Sequence, residues 1–277
     1  MKKVFLIIIC FLMLPFIAGA EEETVIEKVD LNLKENEIVV TFLDLSSGEA
    51  ILVQTGKGET ILINTGGPHT GEELLDRLEM FNVLKFDAVI LTNVDREYAA
   101  NVDWLQKSYM IERLVVPQVF KQQWINDFAV QHDNTEYWTI NSVEKVLPHM
   151  VMRVVDMQAT GGMSLYFSYG KHDFLLMGKA DKAGEEALLK RAPLNAEILK
   201  VAEFAKEGGT SQDFLEKTDP HVAVIFHERK KMPSSAVLER LNETWIDIYE
   251  TRQFGNVSFR CDAENYEVVT IESEENN

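Results

Sequence analysis

Residues 86–98 read FDAVILTNVDREY, and this stretch determines the fold prediction. Its first half, residues 86–91, is an almost wholly apolar run of the kind that forms a strand buried on both faces of a sheet. Its second half is polar and carries two carboxylates, Asp95 and Glu97. The sequence therefore predicts a buried strand that leads directly into an acidic loop.

The segments on both sides of this stretch alternate between strand and helix patterns. β-Branched runs predict strands at residues 38–43, 50–55 and 60–64, followed by a helix at 70–81 with Thr70 as its N-cap. This alternation, occurring twice, predicts an α+β fold: a single four-layer αββα domain with two sheets inside and helices outside. Further strands are expected at residues 113–116, 150–156, 164–169, 173–177, 196–201, 222–226, 245–249, 256–261 and 267–271, and helices at 121–130, 183–191, 211–217 and 235–241.

Charge and cysteine content exclude several classes of protein. The 277 residues include 27 Lys and Arg against 45 Asp and Glu, a formal net charge of −18. A binder of phosphates needs a basic face, so we expect neither nucleic acid nor anionic lipid as a non-specific partner. Two cysteines cannot build a disulfide framework or a thiolate zinc cluster. We expect Cys261 to be a buried apolar residue on a strand.

The amino terminus has the layout of a secretory signal peptide. Lys2 and Lys3 precede an apolar run at residues 4–18, and small residues at 18–20 precede three glutamates. The run is shorter than the ~20 residues that span a bilayer, although an uncleaved anchor is the alternative. Cleavage after residue 20 removes two basic residues and no acidic ones, which changes the net charge from −18 to −20. The prediction is a signal peptide at 1–20, an acidic tether at 21–36 and one domain at 37–277, secreted or extracytoplasmic, with no stable membrane span after cleavage.

The order of these segments resembles the metallo-β-lactamase-like hydrolase domain, particularly the version at the end of ComEC-type DNA-uptake competence proteins. The resemblance spans residues 38–271, and it implies the four-layer αββα sandwich. Members of that family bind one or two zinc ions with His and Asp, and the metal ionises a bound water. The matching stretches are TFLDLSSGEA (41–50), TILINTGG (60–67), FDAVILT (86–92), SLYF (164–167), FLLMG (174–178) and PSSAVLERL (233–241).

The resemblance fails at the positions where the family holds its metal. In the main metal loop, Asn93 replaces the first histidine and Tyr98 the last, whereas Asp95 remains and Glu97 is one methylene longer than the usual Asp. Where a bridging aspartate should follow the glycine at residue 178, the chain has Lys179. The family's Lys-Val-Pro-His-His-Gly-Ser segment corresponds to residues 200–206, which contain no histidine, and Met232 stands where a histidine commonly precedes Pro-Ser.

Two interpretations of this altered pocket remain open. Asp95, Glu97 and Glu203 supply oxygen ligands, so a hard ion such as Mg²⁺ or Ca²⁺ fits better than Zn²⁺. In the other interpretation, which we favour, Lys179 pairs with those carboxylates and no metal or other cofactor is needed. The candidate pocket residues are Asp44, Asn64, His69, Asp95, Glu97 and Lys179; no catalytic residue is predicted.

These observations favour an exported protein that has lost its zinc ligands and acts by binding or regulation at the cell surface. Its partner would be an unidentified protein or an envelope component, with nucleic acid disfavoured by the net charge. Two alternatives remain: a divergent metal-dependent hydrolase of the phosphodiesterase or esterase type that uses Asp95, Glu97 and Glu203, and a purely structural envelope component.

Overall fold

Two β-sheets lie face to face in this computed structural model, which describes residues 28–128, 134–158, 162–178, 181–191, 194–228 and 231–272. One sheet has eight strands in the order β17-β16-β1-β2-β3-β5-β7-β8, and the other has seven in the order β15-β14-β13-β12-β11-β10-β9; β4 and β6 form a separate pair. The strands are β1 (Ile38–Phe42), β2 (Ile51–Thr55), β3 (Thr60–Ile63), β4 (Lys85–Phe86), β5 (Ala88–Ile90), β6 (Met110–Ile111), β7 (Leu114–Pro117), β8 (Thr135–Trp138), β9 (Val143–Leu147), β10 (Met150–Gln158), β11 (Gly162–Tyr169), β12 (His172–Leu176), β13 (Ile198–Lys200), β14 (Val222–Ile225), β15 (Asp247–Glu250), β16 (Asn256–Cys261) and β17 (Tyr266–Ile271).

Helices cover the outer face of each sheet. Apolar residues of α1, α3 and α4 pack on the eight-stranded sheet, and those of α5, α6 and α7 pack on the seven-stranded sheet. A third apolar cluster fills the space between the two sheets. This arrangement confirms the predicted four-layer αββα sandwich. The helices are α1 (Gly71–Met80), α2 (Arg96–Ala99), α3 (Val102–Ser108), α4 (Lys121–Asp127), α5 (Lys182–Arg191), α6 (Gln212–Thr218), α7 (Ser235–Glu243) and α8 (Thr251–Phe254).

Each sheet combines an antiparallel part with a parallel part. In the eight-stranded sheet, β3, β5, β7 and β8 run parallel, and in the seven-stranded sheet β12, β13, β14 and β15 do. The loops that follow β5, β13, β14 and β15 therefore leave from the carboxyl ends of parallel strands, which is where open α/β sheets place their ligands.

Several local predictions need correction. Thr70 precedes α1 as predicted, but its hydroxyl donates to the Gly67 carbonyl (2.8 Å) because its backbone is not extended (φ −105°, ψ 17°). The helix predicted at 121–130 ends at Asp127 because Phe128 is extended (φ −103°, ψ 130°); residues 129–130 lie outside the described residues. The strand predicted at 245–249 begins at Asp247, because Trp245 is left-handed (φ 59°) and 94% exposed.

The amino-terminal predictions are only partly covered by the structure. Residues 1–27, which include the predicted signal peptide, lie outside the described residues. Residues 28–36 follow the domain surface: the Val29 amide donates to the Met80 carbonyl (2.9 Å), and Val29 and Leu31 pack on the helical layer. Within the described residues, no helix combines the length and apolarity needed to cross a bilayer. Cys261 is a buried free thiol on β16, as expected.

Candidate binding cleft

The loop after β5 is held by buried amide side chains. Asn64 Oδ1 accepts the Thr92 amide (2.8 Å) and the Thr92 hydroxyl (3.0 Å), and Asn93 Oδ1 accepts the Asp95 amide (2.9 Å). Asn64 and Asn93 are each only 1% exposed. Among the described residues, Asn93 Nδ2 is buried without a hydrogen-bond partner. Both amide oxygens are thus engaged by the chain itself.

Tyr98 follows this loop on α2 and faces a group of carboxylates. Burial raises the pKa of its phenol well above the usual value, and the negative charges of Glu49, Glu203, Asp95 and Glu97 raise it further. Its ring lies 6.2 Å from the Phe204 ring, centroid to centroid. The phenol therefore stays neutral at physiological pH, and the four acids that affect its pKa lie in one neighbourhood.

A buried ion pair crosses from one sheet to the other beside Tyr98. Lys200 Nζ, at the end of β13, lies 2.7 Å and 2.6 Å from the two carboxylate oxygens of Glu49, just before β2. The Glu49 and Lys200 side chains are 1% and 3% exposed. Burial raises the pKa of Glu49, and the adjacent ammonium opposes that rise. The structure thus places an internal cation in this neighbourhood; the predicted one, Lys179, lies outside the described residues.

The segment after β13 has an unusual backbone. Glu203, Phe204 and Ala205 are three successive residues with positive φ (45°, 59° and 58°). A left-handed conformation at a residue other than glycine costs about 1–3 kcal/mol, and such residues concentrate at functional sites. The Ala205 carbonyl accepts the Ser234 amide (2.9 Å), which joins this segment to the loop before α7.

A cavity of about 200 Å³ opens between these loops. Its apolar surface comes from Phe204, Ile225 and Phe226. Charged residues also line it, namely Glu203, Lys206, Glu207, Glu228, Lys231, Glu250 and Arg252. His227 lines the same cavity, and its pKa is lowered by burial and then by the charge of Arg252. The His227 carbonyl accepts the Gly48 amide (3.2 Å), so the cavity adjoins the loop before Glu49.

The predicted pocket residues occupy different environments. Asn64 is buried under the loop after β5, His69 is exposed with φ 68°, and Asp44 is half-buried, its carbonyl accepting Arg77 Nε (3.2 Å). Asp95 and Glu97 lie near Tyr98, and Glu203 lines the cavity. The set as a functional unit remains a prediction.

The described side chains at the positions where the resemblance implies zinc-binding histidines, such as Asn93 and Tyr98, do not match the usual zinc-ligand types. In the described part of the chain, no three His, Cys, Asp or Glu side chains converge in a way that could hold a metal ion. Asn93 Oδ1 already accepts a backbone amide, Tyr98 is a neutral buried phenol, and Glu49 is neutralised by Lys200.

Sequence reasoning missed several residues in and beside the cavity. These are Phe204, His227 and Arg252, which line it, and the pair of Glu49 and Lys200. The available signal for the pair was a charged residue at the end of an apolar strand, Glu49 just before β2 and Lys200 as the last residue of β13. Such a charged residue is buried only when it is paired. No signal in the sequence indicates the left-handed backbone at Phe204.

Comparisons with known proteins agree with this architecture. No family model matches the chain. ComE operon protein 3 of Bacillus subtilis (strain 168) is 24% identical over 259 residues, covering 80% of this chain and 33% of that protein, so the chain spans about one third of this relative. Two solved structures are similar: the metallo-β-lactamase fold protein YhfI from Bacillus subtilis (TM-score 0.59, 12% identity, 82% of this chain and 100% of that one) and Zn²⁺-bound PqqB from Methylobacterium extorquens (0.53, 10%, 77% and 97%).

Proposed function

Because this chain has the metallo-β-lactamase fold and resembles the ComEC-type branch of it in sequence, we propose that it is a hydrolase-like protein that has lost its zinc ligands and acts by binding. One observation supports the proposal: Asn93 and Tyr98, at positions where the resemblance implies metal ligands, take part in the hydrogen bonding and packing of the fold. Asn93 holds the Asp95 amide, and Tyr98 is a buried phenol packed near Phe204. The side chains that hold Zn²⁺ in proteins are Cys, His, Asp and Glu, and neither a neutral amide nor a protonated phenol belongs to this set.

The proposed binding surface is the cleft formed by the cavity between the loops after β13, β14 and β15 and by the adjoining loop that carries Gly48 and Glu49. We place the protein outside the cytoplasm, at the cell surface, on the strength of the signal-like residues 1–20, and its partner among proteins or envelope components. The net charge of −18 supports neither DNA nor RNA as the partner, because a polyanion would be repelled. Fractionation of cells that carry the full chain tests this location; recovery in the cytoplasm alone would contradict it.

Metal titration of the purified chain beginning at residue 21 tests the loss of catalysis. We expect no stoichiometric binding of Zn²⁺, Mn²⁺, Mg²⁺ or Ca²⁺ by calorimetry and no hydrolysis of phosphodiester or ester substrates. Stoichiometric metal together with an activity that Asp95→Ala abolishes would overturn the proposal. Glu112→Ala is the matched control, since Glu112 is a half-exposed carboxylate paired with Lys85 away from the cleft.

The same titration tests the second candidate, a divergent metal-dependent hydrolase. The observation in its favour is that Asp95, Glu97 and Glu203 each lie close enough to Tyr98 for their charges to raise its pKa. Oxygen donors of this kind suit Mg²⁺ or Ca²⁺. Binding of either ion that is lost in Glu97→Gln and Glu203→Gln, and unchanged in Glu112→Ala, would favour the hydrolase.

A further inference from the structure

The cavity beside Phe204 combines an apolar floor with a cation that no described carboxylate neutralises by direct contact. Ile225 and Phe226, at the end of β14, are buried at 1% and 2% exposure, and Phe204 is half-buried. Met232 borders the cavity and is 69% exposed. An exposed thioether next to buried aromatic rings is an adaptable surface for an apolar group.

Among the described residues, three cations line the cavity, and they differ in their partners. Lys206 Nζ lies 3.8 Å from Glu203 Oε1, and Lys231 contacts Glu228. Arg252 makes no ion pair with any described carboxylate, and its Nη1 donates to Met232 Sδ (3.1 Å). A thioether is a weak acceptor and a guanidinium carries five N–H donors, so Arg252 retains most of its donors at the cavity.

None of the described carboxylates that line the cavity forms an ion pair with Arg252. Glu203 and Glu228 are engaged by the two lysines. Glu207 and Glu250 line the same cavity: Glu207 is exposed, and the pKa of Glu250 is raised by burial despite the charge of Arg252. The planar guanidinium fork matches a carboxylate, which can accept two parallel N–H bonds from it.

We propose that this cavity binds the carboxyl terminus of a peptide whose last side chain is apolar. The terminal carboxylate pairs with Arg252, and the side chain lies against Phe204, Phe226 and Met232. A volume of about 200 Å³ is below the range that encloses a drug-sized ligand, so it suits one end of a chain. A nucleic acid would bring many phosphates to a chain with a net charge of −18, whereas a peptide terminus brings one carboxylate. This assignment rests on the binding role proposed above.

Calorimetric titration of the chain beginning at residue 21 with acetyl-Gly-Ala-Leu, as the free acid and as the amide, tests the proposal. We expect saturable binding of the acid and at least about 10-fold weaker binding of the amide, because a hydrogen-bonded charge is lost. Arg252→Gln should reduce the affinity for the acid to that for the amide. Arg153→Gln should change neither, since Arg153 stacks on Tyr166 (5.7 Å) on the outer face of the seven-stranded sheet.

Three results would overturn the assignment: equal affinities for acid and amide, unchanged binding by Arg252→Gln, or no saturable binding of the acid by the wild-type chain. Thermal unfolding of both arginine variants checks that they are folded. The titrations are run in EDTA and repeated without EDTA in the presence of Mg²⁺ or Zn²⁺. Binding that requires the metal would count against the non-catalytic role, whereas absent binding together with a negative metal titration would count against the peptide assignment alone.

Discussion

Lys200 Nζ lies within 2.7 Å of both carboxylate oxygens of Glu49, and this buried pair joins the two sheets at the cleft. Glu49 belongs to the turn before β2 of the eight-stranded sheet, and Lys200 ends β13 of the seven-stranded sheet. The Glu49 amide donates to the Glu97 carbonyl (3.0 Å), and the Glu49 carbonyl accepts the Gly66 amide (2.9 Å). The pair therefore fixes the loop after β5 relative to the loop after β13.

Removing one member of this pair should destabilise the protein strongly. Lys200→Met leaves the Glu49 carboxylate buried without its cation, and we expect a loss of about 3–5 kcal/mol in the free energy of unfolding. The double variant Glu49→Leu/Lys200→Met removes both charges and should recover most of that loss. Urea denaturation of the wild type, the single variant and the double variant measures the three free energies of unfolding.

Lys171→Met is the control, because Lys171 pairs with Glu264 at an exposed site. An exposed pair contributes about 0–1 kcal/mol, so this variant should unfold close to the wild type. If Lys200→Met were no less stable than Lys171→Met, the buried pair would not fix the cleft.

The pair also shows what the sequence could and could not predict. The strands next to Glu49 and Lys200 could be predicted, because a strand is recognised from an apolar run of neighbouring residues, as at 50–55 and 196–201. The contact itself joins residues 151 positions apart, and no spacing rule relates them. Neither helix α2 nor helix α3 was predicted, and α2, with four residues, is too short for a periodic apolar pattern. The change in the loop after β5 can be read from the sequence, because Asn93 and Tyr98 stand in that loop where the resemblance implies histidines. The cavity at Arg252 forms where the loops after β13, β14 and β15 meet, and these loops are far apart in sequence.

Stability should fall as the pH is lowered through the range in which Glu37 titrates. Its pKa is lowered from 4.5 to about 2, first by the Lys34 amide (3.0 Å) and then by Arg260, whose Nη2 lies 2.7 Å from Glu37 Oε2. Because the folded pKa lies below the unfolded one, this stabilisation is present above about pH 4.5 and is lost as the pH falls toward about 2.

Urea midpoints of the wild type and Glu37→Gln at pH 6 and pH 3 measure this contribution. We expect the variant to be less stable than the wild type at pH 6 and the difference to shrink at pH 3. Glu59→Gln is a control at a carboxylate whose hydrogen bond comes from the nearby Thr55 hydroxyl (2.7 Å). A Glu37→Gln difference that stays constant between the two pH values would contradict the assignment.

Gly48 should tolerate no side chain, because three loops of the cleft meet at its Cα. A Cβ there would lie 2.2 Å from the Gly67 amide nitrogen and 2.5 Å from the Glu97 carbonyl oxygen, and its φ is +88°. Gly58 has a similar φ of +82°, yet a Cβ there would have no neighbour within 4 Å. Gly58→Ala should therefore cost about 1–2 kcal/mol for the left-handed backbone alone. Gly48→Ala should cost clearly more, about 3 kcal/mol or above, because backbone atoms must also move. Urea denaturation of both variants compares the costs, and equal losses would mean that the loops around Gly48 are not packed as described.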